Sequence, residues 1–133
     1  MNNYALVGAD GQVERTIVLP DDQLHRAEQF IAQELGLSGT WLACDTNAWR
    51  GKHRDGTPGP AFRKNYPTPG YTYDPATDSF VEPKPAEFPS WVLDHDGAFW
   101  KPPVAPPSVR PQPNYKYRWD EPTVSWVQVP RTA

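Results

Sequence analysis

The first 44 residues arrange apolar and polar positions in the pattern of a small sheet. Tyr4–Val7 and Val13–Leu19 are rich in apolar and β-branched residues. They flank Gly8–Gly11, whose Asp-Gly pair is typical of a tight hairpin. Thr40–Cys44 is a further apolar run, which predicts a short strand. We therefore expect two antiparallel strands and a third strand that returns beside them.

Between the second and third of these strands the spacing changes to that of a helix. Pro20-Asp21-Asp22 offers an N-cap with acidic charge in the first turn, and Gly36 stands where a glycine commonly ends a helix. The pattern predicts a helix over residues 22–35, and with the strands it predicts an N-terminal α+β anchor unit over residues 1–44. The apolar stripe of the helix consists of Leu24, Ala27, Ile31 and Leu35.

Residues 45–60 are rich in glycine, proline and charged residues, which predicts a long exposed loop. A basic and aromatic cluster begins in this loop and continues beyond it. Three interpretations stay open for it: an ordinary solvated surface, a docking surface for an acidic protein face, or a nucleic-acid contact. Its members are Trp49, Arg50, Lys52, Arg54, Phe62, Arg63, Lys64 and Tyr66.

The second half of the chain contains an internal repeat. Three segments, 71–81, 91–101 and 117–127, share one order: an aromatic residue, a large residue two positions later, then Asp, then Phe or Trp six positions after the Asp. Each segment predicts a short β-hairpin, in which the Asp opens the turn by accepting backbone N–H groups and the rings meet across the strands. The turn-forming residues are Asp74, Asp94 and Asp120.

Proline separates the two halves of the chain. Of its 17 prolines, three lie in residues 1–66 and fourteen in residues 67–133. Proline lacks the N–H donor that a central strand needs, so the runs between the hairpins predict extended spacers. Residues 61–133 therefore predict an extended tail, and the expected fold class is α+β: a β-hairpin/helix/strand unit followed by a proline-rich tail of short aromatic hairpins.

Leu, Ile, Val and Phe together are only 24 of the 133 residues, whereas 13% of the residues are aromatic. The aromatic rings must therefore supply much of the buried area, either in the core or against another protein. Stacking on sugar rings is the second interpretation of these residues. The rings that we expect at a protein interface are Phe62, Tyr66, Tyr71, Tyr73, Phe80, Trp91, Trp100, Tyr117, Trp119 and Trp126.

Residues with catalytic or metal-binding chemistry are sparse. His25, His53 and His95 are scattered, without partners at the spacing of a metal site or a catalytic triad. Cys44 ends an apolar run, where a small buried side chain is expected, and a single cysteine excludes an internal disulfide. We therefore expect no catalytic residue, no metal and no cofactor.

The net charge is −3, with 13 basic and 16 acidic residues, so the chain lacks the basic excess that binding to a phosphate backbone requires. This balance argues against a nucleic-acid partner. Residues 1–8 have neither a basic segment nor a long apolar run, and no stretch approaches the roughly 18 apolar residues of a membrane span. We expect a soluble protein, made in a reducing compartment and without a membrane partner.

Four segments of the chain resemble a group of small proteins encoded by tailed phages of marine and freshwater bacteria. They are Ala61–Asp74, Phe80–Pro85, Pro89–Leu93 and Tyr117–Asp120, and a similar α/β portion precedes them in that group. The resemblance covers most of the chain and implies a virion component without assigning its position. Two departures, the stiff Pro67-Thr68-Pro69 and the longer proline run 102–113, favour a tail that extends over neighbouring subunits.

The resemblance and the residue pattern together lead to one functional expectation. We expect a non-enzymatic virion protein, made in the host cytoplasm, that binds other phage structural proteins as a capsid decoration protein or a tail or baseplate attachment protein. It would be a homo-oligomer or present in many copies. The alternative is a host-glycan binding module on a tail fibre.

Overall fold

The computed structural model describes residues 2–131. Residue 1 of the predicted anchor unit and residues 132–133 of the predicted tail lie outside the described residues. The described chain consists mostly of small antiparallel strand pairs with one short helical segment, so the expected α+β class is confirmed. Its strands are β1 (Asn3–Val7), β2 (Val13–Val18), β3 (Thr40–Cys44), β4 (Ala48–Trp49), β5 (Lys52–His53), β6 (Thr72–Asp74), β7 (Ser79–Val81), β8 (Val92–Asp94), β9 (Phe99–Lys101), β10 (Tyr115–Asp120) and β11 (Ser125–Pro130).

The N-terminal strands form one antiparallel sheet in the order β2-β1-β3. The predicted strand positions are confirmed to within one residue, because each strand is specified by a local apolar run and a local turn. In the turn between β1 and β2, Asp10 Oδ1 accepts the Gln12 N–H at 3.0 Å, and Gly11 has a φ of +83°. The Asp-Gly pair therefore closes the hairpin as expected.

The predicted helix is helical but irregular. A 3₁₀ segment, Asp21–Arg26, is followed by one α-helical turn, Ala27–Gln29, and a π-helical turn, Phe30–Glu34. The expected side-chain cap is wrong, because Pro20 occupies the N-cap position and makes no side-chain hydrogen bond. Of the whole segment only Ile31 is buried, so little packing enforces one regular geometry.

The end of the helical segment agrees with the sequence. Gly36 has a φ of +66°, and the Leu37 N–H donates to the Ile31 carbonyl at 3.0 Å. This hydrogen bond spans six positions, one more than the six-to-one bond that usually closes a helix before a left-handed C′ residue, because the last turn is π-helical. The prediction that Gly36 terminates the helix is confirmed.

The segment predicted as a loop contains a short hairpin, in which β4 pairs with β5. Its two turn residues, Arg50 and Gly51, have φ values of +51° and +81°, as a two-residue type I′ turn requires. Arg-Gly is not one of the usual dipeptides for this turn, which is why the sequence pattern did not reveal it. Residues 54–60 are all exposed.

The backbone contacts divide the chain into two units. The N-terminal unit comprises the described residues up to 83 together with 94–99, and the C-terminal unit comprises 84–93 together with the described residues from 100 onward. The hairpin β6–β7 therefore lies in the same unit as the N-terminal sheet, although the sequence alone grouped it with the tail. The cause is visible in the hydrogen bonds, since Val13 N–H donates to the Tyr71 carbonyl and Tyr73 N–H to the Gly11 carbonyl.

The apolar core of the N-terminal unit lies between the sheet and this hairpin. It consists of Ala5, Val13, Cys44 and Phe80, each at most 2% exposed. The prediction that Cys44 is a buried small side chain is confirmed, and burial raises the pKa of its thiol to about 12. Full burial of a side chain such as Phe80 contributes about 2–3 kcal/mol of hydrophobic free energy.

Asn65 is the buried polar side chain that connects the irregular parts of the N-terminal unit. It is 1% exposed, and its Oδ1 accepts the Arg50 N–H at 2.7 Å. Its Nδ2 donates to the Phe80 carbonyl at 2.8 Å and to the carbonyls of Gly97 and Ala98 at 3.2 Å. One side chain thus satisfies backbone groups from the β4–β5 turn, from β7 and from the loop before β9.

Replacing Asn65 by alanine is expected to lower the free energy of unfolding by about 3 kcal/mol. The Phe80 carbonyl would stay buried, and the Arg50 N–H partly buried, without the Asn65 partner, and an unpartnered buried group costs about 1–3 kcal/mol. Urea denaturation followed by circular dichroism measures the loss. Gln33→Ala, a truncation of an exposed amide in the helical segment, is the matched control and should change stability by less than about 0.5 kcal/mol. Equal effects of the two substitutions would contradict the role given to Asn65.

Candidate interaction surface

The turns of the three aromatic hairpins share their length and the conformation of their last residue. Each has four residues, 75–78, 95–98 and 121–124, and follows the strand that ends in Asp. The fourth residue is left-handed in all three turns, with φ values of +49° at Asp78, +54° at Ala98 and +49° at Val124. None of the three is glycine, so the hairpins hold ordinary side chains in a conformation that most residues avoid.

The Asp that precedes each turn accepts hydrogen bonds from it. Asp74 Oδ1 accepts the Ala76 N–H at 3.0 Å, and Asp94 Oδ1 accepts the N–H groups of Asp96 and Gly97 at 3.0 and 3.2 Å. The carboxylate of Asp120 accepts from a side chain of its turn, the Thr123 hydroxyl. All three predicted turn residues thus lie at a hairpin turn and bond to it.

In the N-terminal unit the predicted interface rings belong mainly to the interior. Phe80 is fully buried, so its assignment to a protein interface is corrected: β7 places its ring in the apolar core, 5.5 Å from the Tyr73 ring. Tyr66, Tyr71 and Tyr73 are half-buried against the same core. Phe62, also half-buried, lies 4.7 Å from the Arg63 guanidinium.

In the C-terminal unit most of the predicted rings remain partly accessible. Trp119 is 8% exposed and packs edge-on against Trp126, with 5.5 Å between ring centroids. Trp91, Trp100, Tyr117 and Trp126 are all half-buried. Trp119 is the only residue that this unit buries among those the structure describes, so the unit has almost no apolar core of its own.

Polar contacts take the place of that core. The Glu121 carboxylate accepts the Ser90 N–H and hydroxyl at 3.0 and 2.7 Å and the Trp119 Nε1–H at 3.0 Å. The Trp119 indole and the Ser90 groups together lower the pKa of Glu121, because they bond to its charged form. The ring donors of Tyr117 and Trp126 bond in turn to backbone carbonyls of the proline run.

Two further accessible aromatic side chains were not among the predicted interface residues. Trp49 is 45% exposed and lies under the guanidinium groups of Arg50 and Arg54, at 4.8 and 5.9 Å. Phe88 stacks on Trp91 with 4.6 Å between ring centroids. Their sequence signals were present but weak: a tryptophan beside a basic run, and a phenylalanine three residues before a tryptophan, the separation that one turn brings together.

The basic cluster largely bonds to groups of its own unit. Arg50 pairs with Glu82 at 2.9 Å and lies over the Phe99 ring at 4.5 Å. Arg63 Nε pairs with Asp78 Oδ1 at 2.9 Å, and Lys64 Nζ donates to a backbone carbonyl, that of His95. These bonds favour the interpretation of an ordinary, internally bonded surface for three of the five cations.

Asp78 is the acceptor at the centre of a small surface network. Its Oδ1 accepts from the Tyr73 hydroxyl at 2.6 Å and from Arg63 Nε at 2.9 Å. The Tyr73 hydroxyl, with help from Arg63, holds the pKa of the Asp78 carboxyl below its usual range. A carboxyl whose folded-state pKa is lowered stabilises the fold above its unfolded-state pKa, and this contribution is lost as the pH falls through the folded-state pKa.

Tyr73→Phe is expected to raise the pKa of Asp78 toward its ordinary value, because it removes the hydroxyl donor and keeps the ring. The stabilisation that Asp78 contributes above about pH 4 should shrink accordingly, and less stability should be lost as the pH falls below that value. An NMR titration of the Asp78 carboxyl carbon measures the shift directly. Tyr71→Phe, which removes a hydroxyl two residues away, should leave that titration unchanged. An unaltered Asp78 titration in Tyr73→Phe would disprove the assigned cause.

Val124→Gly is expected to stabilise hairpin β10–β11 by about 1 kcal/mol. A left-handed conformation costs an L-residue about 1–2 kcal/mol, and glycine relieves this cost while adding some entropy to the unfolded chain. Amide hydrogen exchange of β10 and β11 in the full chain measures the gain. Thr123→Gly is the control at a neighbouring position that is not left-handed, and it should lower protection. Lower protection in Val124→Gly as well would show that the turn is not strained there.

No group of three or more His, Cys, Asp or Glu side chains is placed to hold a metal ion within the described residues. In the same part of the chain, no helix has the length and apolar character that crossing a membrane requires. Comparison with protein-family models, curated proteins and solved structures finds no match to this chain. A functional proposal therefore rests on the residues of the chain itself.

Proposed function

We propose that this chain is a non-enzymatic structural protein of a tailed-phage virion, made in the host cytoplasm and incorporated as a homo-oligomer or in many copies. It binds neighbouring virion subunits, either as a capsid decoration protein or as a tail or baseplate attachment protein. The resemblance of four segments to phage-encoded proteins supports the source of the chain, and the properties of the C-terminal unit support its role in binding.

The proposal rests on one property of the C-terminal unit: it has several partly accessible aromatic rings but almost no apolar core. Trp119 alone is buried there among the described residues, while Trp91, Trp100, Tyr117 and Trp126 keep accessible surface. Units of about 40 residues seldom bury enough surface to be stable alone and usually need a staple or a partner. Half-exposed tryptophan and tyrosine side chains are also the residues that protein interfaces favour.

We further propose that the three aromatic hairpins are copies of one unit and that the C-terminal unit, residues 84–93 and the described residues from 100 onward, acts as the binding tail. The shared four-residue turn, with its preceding Asp and left-handed fourth residue, supports this equivalence. The run from 103 to 110, which is exposed throughout, supports the role of proline segments as spacers. Proline limits the conformations of such a segment beforehand, so ordering it against a partner costs less entropy.

The rings available for this interface are fewer than the sequence predicts. Phe80 is excluded by burial, and Tyr66, Tyr71 and Tyr73 serve the core of their own unit. The proposed contact residues are Phe62, Trp91, Trp100, Tyr117 and Trp126, with Trp119 as their buried support and Trp49 and Phe88 added from the structure.

A host-glycan binding module is the second candidate, and one contact favours it. The rings of Phe88 and Trp91 lie nearly parallel, with 12° between their planes, and both keep accessible surface. Accessible flat rings are the surfaces on which sugar rings stack. This candidate predicts that Trp91→Ala abolishes sugar binding while incorporation into particles continues.

Quantification of this chain in purified virions tests the proposal. Peptide mass spectrometry gives the copy number relative to the major capsid and tail proteins. A ratio near that of the capsid protein is the expected result for a decoration protein, and a low ratio equal to that of a tail component is expected for an attachment protein. Absence of the chain from particles would overturn the proposal.

Two variants separate the protein-binding from the glycan-binding role. Under the main proposal, Trp91→Ala should lower incorporation into particles severalfold, since interface tryptophans commonly contribute 2 kcal/mol or more to binding. Trp41→Ala, a half-buried tryptophan of the N-terminal unit that is not among the proposed contact residues, is the matched control. Glycan-array binding that depends on Trp91, with normal incorporation of the variant, would favour the second candidate.

A further inference from the structure

The hairpin β10–β11 has one face on which four of the six residues are aromatic. Residues directly opposite each other in an antiparallel pair share a face, and the face alternates along each strand. Trp119 is opposite Trp126, Tyr117 is opposite Gln128, and Tyr115 is opposite Pro130. The other face carries Lys116 and Arg118, opposite Val129 and Val127. We call the first of these the aromatic face; it consists of Tyr115, Tyr117, Trp119, Trp126, Gln128 and Pro130.

The proline run of the same unit is hydrogen-bonded to this face. Trp126 Nε1 donates to the Val104 carbonyl at 2.8 Å, and the Tyr117 hydroxyl donates to the Val109 carbonyl at 2.9 Å. At the end of the run, the Gln112 N–H donates to Gln128 Oε1 at 3.1 Å. Three side chains of the aromatic face are thus hydrogen-bonded to the backbone of the proline run, at Val104, Val109 and Gln112.

The chemistry of these contacts is that of proline-segment recognition. A proline-rich segment has few N–H groups and forms no internal hydrogen bonds, so its carbonyl oxygens stay free to accept. Tryptophan and tyrosine supply a flat apolar surface and one donor each, which is how proteins commonly bind extended PxxP-type segments. We infer that the aromatic face is a binding site for an extended proline-rich segment, and that the same segment of a second copy occupies it when copies of the chain lie side by side.

The bound segment can exchange because little of it is buried. Residues 103–110 are all exposed, and Val109 is 73% exposed. The hydrogen bonds involved are solvent-accessible, so each contributes only about a fivefold change in the binding constant. Within one chain the segment has an effective concentration on the order of millimolar. Copies packed on an assembly reach comparable local concentrations, and an identical segment offers identical contacts.

A peptide experiment tests the recognition itself. In the full chain, Pro102, Pro103, Pro106 and Pro107 are replaced by glycine, which releases the segment from the face. A synthetic peptide with the sequence of residues 101–112 is then added to the ¹⁵N-labelled variant, and the indole N–H resonance of Trp126 is followed by NMR. A saturable shift of that resonance is the expected result, whereas a peptide with glycine in place of every proline should produce none.

Two further substitutions show which face binds. Trp126→Phe keeps a ring and removes the Nε1 donor, so the peptide affinity, now followed at backbone amides of β10 and β11, should fall about fivefold. Lys116→Ala alters the opposite face and should leave the affinity unchanged. Absence of a saturable shift in a variant whose β10–β11 signals stay dispersed overturns the inference, as does equal weakening by the two substitutions.

A mixing experiment decides the identity of the occupant and does not depend on the glycine variant. Ser108→Cys is coupled to a spin label; Ser108 is exposed, and the buried thiol of Cys44 does not compete for the label because its pKa is about 12. This chain is mixed at high concentration with ¹⁵N-labelled, otherwise unchanged chain. Selective broadening of the Trp126 indole signal is expected, and uniform or absent broadening overturns exchange between copies.

This inference rests on the proposed function in one respect: the proposed virion role places many copies of the chain next to one another. The peptide and mixing experiments use purified chain alone, while the virion count uses particles. Failure of the first leaves the virion role standing, and absence from particles leaves the proline site standing.

Discussion

The N-terminal unit depends on the carboxamide of Asn65. Strands of two or three residues leave many backbone groups without a ladder partner, and a buried group without a partner costs free energy comparable to a lost hydrogen bond. The Asn65 side chain supplies both a donor and an acceptor in the one place where such groups converge: the Arg50 N–H on one side, and the carbonyls of Phe80, Gly97 and Ala98 on the other. Neither a purely apolar side chain nor a carboxylate could do both, so the short hairpins of this unit are held together by an amide.

The C-terminal unit is stabilised in a different way. Among the described residues, its hairpin β10–β11 buries one side chain, Trp119. Its other segments are attached by hydrogen bonds that aromatic rings donate and that the Glu121 carboxylate accepts. Solvent competes for such bonds, so each contributes about 1 kcal/mol, far less than the burial of an apolar core. Elements with few buried contacts open first, and the surfaces that bind partners are drawn from such elements. Under the proposed function, a partner that covers these rings would supply apolar burial that the unit lacks on its own.

Much of the fold follows from local sequence signals. The strands of the N-terminal sheet and the glycine that ends the helical segment were predictable because a turn and an apolar run lie next to each other in the chain. The irregular helix was not, because only Ile31 of this segment is buried and little packing enforces one regular geometry. Asn65 lies in a polar run that reads as loop, so nothing local marks it as buried. In β7, a strand of three residues, the pattern is too short to distinguish an inward from an outward ring, and Phe80 could therefore not be separated from the accessible aromatics.

The type of aromatic residue at equivalent hairpin positions follows from the groups that surround its ring. Phe80 and Trp126 both lie six positions after the Asp of their hairpin. Phe80 lies in the apolar core and its ring has no polar atom to satisfy, whereas the Trp126 indole N–H donates to the Val104 carbonyl. Proline prevents the run 102–113 from joining a sheet as a central strand, because it removes N–H donors and leaves carbonyls unpaired. The same carbonyls are what a tryptophan or tyrosine donor can recognise, so the feature that keeps this run out of the sheet also makes it a ligand for the rings beside it.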